Sequence, residues 1–284
     1  MNNKIFKLTL FTFLLVLLSN SSLQGQVQLE QVWETPADLK EPESVLYDAG
    51  NQVLYVSNIN DPSGGKDNNG SIGKISLEGD LEEIEWVLGG MDAPKGLGLH
   101  NGLLYVADPD KVVVINTRTG KIQHSIEIVG AGMLNDITVN NRGDIFVTDS
   151  QDPKVYRIRN NQAEVWLEDE SLKTPNGILA HNGRMYMIDM DTGIFYEIKG
   201  DTKQLIPIAQ GMKGGDGITA YKNGFFISNW NGEIWHVTHQ GAVNKILDTK
   251  DEKVNAADIT FIPEQNLLLV PTFFANKVVA YKVN

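Results

Sequence analysis

The sequence predicts an all-β fold, a six-bladed β-propeller with four antiparallel strands per blade. Three observations predict it: one motif recurs six times, its spacing is nearly constant, and each copy leaves room for two further strands. The copies are "PESVLYDAGNQVLYVSN" (42–58), "PKGLGLHNGLLYVAD" (94–108), "LNDITVNNRGDIFVTD" (134–149), "PNGILAHNGRMYMID" (175–189), "GDGITAYKNGFFISN" (215–229) and "AADITFIPEQNLLLVPT" (256–272). Each opens with one variable residue and a small or polar one, then alternates apolar and polar. A turn, usually Asn-Gly or Gly-containing, leads to a second strand of the type Leu-Tyr-Val. The variable residues are Glu43, Lys95, Asn135, Asn176, Asp216 and Ala257, at spacings of 52, 40, 41, 40 and 41. A period near 40 built from short alternating runs is a propeller-blade signature. The helical periods of coiled coils and solenoids are missing.

The elements follow in chain order. Residues 1–25 carry Lys4 and Lys7, then the apolar run "LTLFTFLLVLL", then the small polar stretch "SNSSLQG". That order reads as a cleavable export signal, and the apolar run is short for a membrane span. Residues 26–284 then form one propeller domain. "VQLEQVW" (27–33) precedes the first copy and has no partner there, while the last copy lacks a fourth strand. Pairing the two closes the ring and removes its open edges. "GSIGKISL", "KVVVIN", "KVYRIR", "GIFYEIK", "EIWHVT" and "KVVAYKV" read as third strands. "LEEIEWVL", "KIQHSIEIV", "AEVWLED", "KQLIPIA" and "AVNKILD" read as fourth strands. The longer first spacing comes from "NINDPSGGKDNNG" (58–70), a Gly-, Asn- and Asp-rich loop. It has neither the spacing of a phosphate loop nor the full ligand set of a calcium loop.

Composition narrows the partners. The chain contains no cysteine, so no disulfide staples an exported form. The formal charge is −12, and losing Lys4 and Lys7 with the signal takes it to −14. Phosphate backbones are repelled by such a surface, so nucleic acid is not an expected partner. After signal cleavage no membrane contact is expected, and the mature protein is expected to be an exported, periplasmic or secreted monomer.

The first strand of a propeller blade lines the central channel. Equivalent residues at its start therefore form a ring, here Glu43, Lys95, Asn135, Asn176, Asp216 and Ala257. Four oxygen-bearing side chains converging on one axis suit a hard cation of the calcium type. No Cys and no clustered His points to zinc or copper. Turn capping accounts for any single Asn or Asp at a strand start; four in register on a repeat favour the cation. A second ring, Asn58, Asp108, Asp149, Asp189, Asn229 and Thr272, ends the second strands. Capping is expected for most of it, with Asp149 the candidate for orienting a ligand from behind.

The motifs "PESVLYD", "LNDITV", "PNGILA" and "GDGITA" resemble the metal-site motifs of the gluconolactonase/regucalcin-like six-bladed propellers. Arylesterases and organophosphate-hydrolysing propellers share a related site. The resemblance covers the mature chain and implies a calcium-type ion with hydrolysis of a lactone or related ester. It makes Glu43, Asn176 and Asp216 direct ligands, and Asn135 a ligand or substrate contact. Two departures stand out. Lactonases of the family often carry Arg two residues before the third-blade Asn, where this chain has Met133, so a sugar-acid substrate is not expected. None of the five His residues lies in the leading ring, and structural roles are expected for all of them.

On this reading Asp216 acts as general base or attacking carboxylate, and Lys95 either stabilises negative charge or pairs with Glu43 or Asp216. Two rivals stand beside it: a non-catalytic binding or scaffold propeller with a structural ion, and a sugar or polymer binder with an aromatic platform. Trp230 is the candidate substrate contact for such a platform. Phe273 and Phe274 are candidates for the same platform, with core packing the expected role of both.

Overall fold

The computed structural model describes residues 27–61, 65–222 and 224–284. The proposed signal, residues 1–25, lies outside them. The described chain forms six four-stranded antiparallel sheets, five of them built from four consecutive strands. The sixth joins Leu29–Glu34 to the edge of Val278–Val283, with Leu267–Pro271 and Thr260–Ile262 inside it. The stretch before the first repeat therefore closes the ring as the sequence predicts. Leu29 pairs with Val283 and Glu34 with Val279, across one irregularity between Gln31 and Trp33. No helix among the described residues is long and apolar enough to cross a membrane.

The core is divided among the blade interfaces. In blade one, Val53 and Tyr55 pack towards blade two with Leu97, Leu104 and Val113. Leu54 and Val56, one residue out of phase, pack towards blade six with Ile262, Leu269 and Val278. Strict alternation therefore buries both faces, which is why the second strands read as nearly unbroken apolar runs. Four further wedges of the same kind fill the other interfaces. Trp33, from the closing strand, packs against the wedge between blades six and one. A side chain at Gly79 would collide with its ring at 2.6 Å.

The inner strands start irregularly. In blade one Pro42 pairs with Asn58 and the next pair is Val45 with Val56, so Glu43 and Ser44 together face Ser57. The same two-against-one bulge places Asn135 and Asp136 against Thr148, Asn176 and Gly177 against Ile188, and Asp216 and Gly217 against Ser228. Three of the facing residues satisfy the freed backbone. Ser57, Thr148 and Ser228 hydroxyls accept the N–H groups of Ser44, Asp136 and Gly217 at 3.0, 3.0 and 2.8 Å. Blades two and six differ from expectation, because their inner strands begin at Leu97 and Thr260, beyond Lys95 and Ala257. Their opposing residues are Ala107 and Pro271, which have no hydroxyl. Backbone bonds still hold the two positions in line: the Lys95 N–H donates to Ala107 O at 2.8 Å and the Ala257 N–H to Pro271 O at 3.0 Å.

If the closing strand fastens the ring through Trp33, Trp33→Ala will cost on the order of 2 kcal/mol and lower Tm by roughly 4–8 °C. Val32→Ala, on the exposed face of the same strand, will change stability by less than about 0.5 kcal/mol. Thermal melts of both variants check this; equal small shifts would count against the role of the strand.

Candidate functional site

Each of the four bulges begins with one of the expected ligands, Glu43, Asn135, Asn176 or Asp216. A bulge lifts a residue out of the ladder and re-aims its side chain. Here the result is a set of oxygens short of partners. Glu43 Oε2, Asn135 Oδ1 and Asp216 Oδ2 are buried and accept no hydrogen bond. The Asn176 amide donates to Asp216 Oδ1 at 2.6 Å and lies 3.9 Å from Met190 Sδ. A buried, unsatisfied oxygen costs about 1–3 kcal/mol, more if charged. Three such oxygens, each at the start of an inner-strand bulge, are unfavourable unless something positive meets them.

The donor set of two carboxylates and two amides fits a hard cation, whose ligands are oxygens of this kind. No group of three or more His, Cys, Asp and Glu among the described residues is placed to hold a metal. Any site here therefore depends on the two amides.

Asn135 is aimed by a neighbour that the sequence did not reveal. Its amide nitrogen donates to Ser150 Oγ at 3.0 Å, and Ser150 Oγ donates onward to Pro175 O at 2.7 Å. With its proton committed to a carbonyl, the hydroxyl can only accept from Asn135. The amide nitrogen is thereby fixed outward and Oδ1 inward. The orienting contact expected of Asp149 is thus made by Ser150. Asp149 is saturated by backbone, accepting from the N–H groups of Gly132, Met133, Gln151 and Asp152 at 2.7–3.1 Å. Asp108 and Asp189 do the same in blades two and four, fastening Ala93 and Lys173 N–H groups at 2.8 and 2.7 Å.

Beneath the expected ring lies a second one that the sequence reading passed over. The residues that follow the leading ring include Asp136 and Asp258, which share a hydrogen bond. Asp136 also accepts the N–H groups of Ile137 and Ile178 at 2.6 and 2.7 Å. Asp258 accepts the Ser44 hydroxyl at 2.6 Å, and its N–H donates to Glu43 O at 3.0 Å. The signal was present: Ser44, Gly96, Gly177 and Gly217 are small at this position and two Asp are not. The glycines leave room for the carboxylates. A side chain at Gly96 would lie 2.6 Å from Asp136 Cα, and one at Gly217 would strike the Asp258 carboxylate. The same two Asp line a cavity of about 350 Å³ together with inner-strand residues such as Leu46, Leu97 and Ile178.

Crowding four carboxyls on one axis shifts their protonation. Burial, then the Asp258 charge, pushes Asp216 up to about 7, against the pull of Lys95 and the Asn176 amide. Burial pushes Asp258 up to about 6 and holds Glu43 and Asp136 well above the usual carboxylate range. The Lys95 ammonium acts through space on Glu43 and Asp216, lowering both carboxyls against the effect of burial. It is the cation of the leading ring.

At the mouth, Trp230 follows the second-strand end Asn229 and flanks a groove of about 530 Å³ with Met190, Lys213 and Asn231. Phe273 is buried, as expected. Phe274 is 58% exposed, contrary to expectation. It lies on the turn Phe273–Ala275, where the chain must reverse and cannot bury both rings. Met133 is 39% exposed at the position noted above. His236 and His239 pack edge-on against Tyr221 and Phe225, away from the ring.

Six four-stranded blades in a closed ring, four of them with an inner-strand bulge, define a six-bladed β-propeller. The family model described as the SMP-30/Gluconolactonase/LRE-like region matches residues 41–272, and the chain belongs to that family. No curated protein matches it. Solved structures show the same fold at low identity. A candidate gluconolactonase is 14% identical with TM-score 0.68, covering 91% of this chain and 92% of its own. A chain of a nidogen/laminin complex is 15% identical with TM-score 0.66, covering 82% and 96%. Virginiamycin B lyase from Staphylococcus aureus is 14% identical with TM-score 0.65, covering 90% and 99%.

The Ser150 relay can be tested directly. Ser150→Ala removes the acceptor that fixes the Asn135 amide, and calcium affinity measured by calorimetry is expected to fall about tenfold. Ser150→Thr keeps the hydroxyl and is expected to retain most of that affinity.

Proposed function

We propose that this protein is an exported, monomeric hydrolase of small lactones or related esters that works with one calcium-type ion in its channel. The observation that carries the reading is the set of three buried, unpartnered oxygens on Glu43, Asn135 and Asp216. Together with Asn176 they would hold the ion. When bound, such an ion supplies Lewis-acid polarisation of a carbonyl and stabilises the charge that develops on its oxygen.

The side chains around it have separable tasks. Asn176 fixes the Asp216 carboxylate through Oδ1, so that Oδ2 would touch the ion while the carboxylate takes a proton from a water beside it. Asp216 is therefore assigned as the general base. Lys95 adds positive charge on the same ring and favours a developing oxyanion. Asn135 carries its oxygen inward, where it serves the ion or the substrate. The blade interfaces and the Asp136–Asp258 strut hold these groups in place, so little reorganisation is needed during reaction.

A second reading is a binding propeller whose ion only pins the channel. The exposed Met133, at the position where family lactonases often carry Arg, favours it.

Purified protein is expected to hydrolyse simple lactones with calcium and to lose that activity with a chelator. Asp216→Ala will lower kcat by about 10²-fold or more. Metal-dependent stability with no turnover of any lactone or ester would favour the binding propeller. Calcium at a hundred times Kd stabilises by about 2.7 kcal/mol, and will raise Tm by roughly 5–10 °C. Asn176→Ala will shrink that shift; an undiminished shift would remove Asn176 from the ligand set.

A further inference from the structure

The residue after each second strand holds an equivalent place in blades three, four and five. The N–H groups of Ser150, Met190 and Trp230 each donate at 2.9 Å to the carbonyl two residues before the leading residue, on Met133, Thr174 and Gly214. That shared bond places each of them beside the start of its own blade's inner strand.

In blade three the place is held by a strong acceptor. Ser150 Oγ takes the Asn135 amide at 3.0 Å and turns its oxygen inward. In blade four it is held by a weak one. The Asn176 amide meets Met190 Sδ at 3.9 Å, and a thioether sulfur accepts poorly. The same amide nitrogen donates to Asp216 Oδ1 at 2.6 Å. An amide nitrogen has two hydrogens, so one serves Asp216 and the other is left with the sulfur. Asn176 is therefore held firmly on one side only.

Met190 is also open to reagents in solvent. It is half-buried and lines the groove of about 530 Å³ with Asp191, Lys213, Gly214, Trp230 and Asn231. Met91, Met185, Met187 and Met212 are at most 7% exposed, and Met133 is 39% exposed. Among the described methionines, Met190 alone combines a place in this groove with a hydrogen-bond contact to the leading ring.

We propose that Met190 orients Asn176 and is a site of reversible oxidation, where a hydroperoxide turns a weak acceptor into a strong one and tightens the hold on the channel ion. The sulfur lone pair attacks the terminal peroxide oxygen, so that an S–O bond forms as the O–O bond breaks. Sulfur is oxidised by two electrons and the peroxide is reduced. The proton on the transferred oxygen passes to the leaving hydroxide or alkoxide, giving water or an alcohol. The product sulfoxide is polar, and a methionine sulfoxide reductase returns it to the thioether. Its oxygen projects into the gap before Asn176 Nδ2 and accepts the second amide hydrogen, as Ser150 Oγ does for Asn135. The groove leaves room for the added atom. With both hydrogens held, the nitrogen stays outward and Oδ1 stays turned to the ring. The effect on the ion rests on the calcium reading above; the contact with Asn176 does not.

The test treats purified protein with hydrogen peroxide, maps the oxidised residues by peptide mass spectrometry, and measures calcium affinity by calorimetry before and after. Met190 is expected to gain oxygen ahead of the buried methionines. Affinity is expected to rise about fivefold, the worth of one hydrogen bond, and to fall back after enzymatic reduction. Met190→Gln, which carries a carbonyl acceptor on a side chain of similar reach, is expected to show the same gain without peroxide. Met190→Leu is expected to lose the response, and Met133→Leu to keep it. Side-chain amide NMR of the calcium-free protein reads the contact by itself. One Asn176 Nδ2 proton, identified by its loss in Asn176→Asp, is expected to move downfield on oxidation. Met190 left unoxidised while Met133 reacts, an Asn176 amide unmoved by Met190 oxidation, weaker calcium binding after it, or an equal peroxide response in Met190→Leu would overturn the proposal. A shifted Asn176 amide in a protein that binds no calcium supports the contact and counts against the ion reading alone.

Discussion

The molecule is organised around the cost of placing unpaired oxygens on a buried axis. Four inner strands bulge at the same position, and the bulges open with Glu43, Asn135, Asn176 and Asp216. Nothing in local propensity demands this, since a regular ladder would pair the backbone without exposing it. The bulges persist because hydroxyls on the second strands take up the freed N–H groups and because six apolar wedges lock the blades together. The strain and the desolvation concentrate at one place, where a bound charge would repay both.

The two rings divide the work. The lower ring, Asp136 and Asp258, is fully engaged: each carboxyl bonds to the other and to backbone or hydroxyl donors of neighbouring blades. It acts as a cross-strut between blades three, four, six and one. The upper ring is left short of partners. Like residue types one position apart thus have opposite roles, set by what surrounds them. The starts of the inner strands carry both the engaged pair and the unpartnered oxygens.

Much of this was legible in the sequence. The near-forty-residue spacing of Lys95, Asn135, Asn176, Asp216 and Ala257 carried the blade count, because a repeat in sequence becomes rotational symmetry in space. The role of "VQLEQVW" followed from counting strands. What escaped notice depended on cross-blade contacts that no periodicity encodes. Ser150 gave no signal because its importance lies in donating to Pro175 and so setting the polarity of Asn135. Asp136 and Asp258 sat at a position read as a spacer, where their neighbours are Gly and Ser. Lys95 and Ala257 kept their angular place but lost their strands, since Ala107 and Pro271 cannot brace a bulge. Phe274 is exposed because the tight turn after Thr272 carries it to the surface, which its apolar character does not signal.

A crystal structure grown in calcium tests the central claim most directly. The account predicts a single ion on the channel axis, with oxygens of Glu43, Asn135, Asn176 and Asp216 at about 2.3–2.6 Å. An ion bound elsewhere, or a channel in which these four side chains turn away from a common centre, would contradict it.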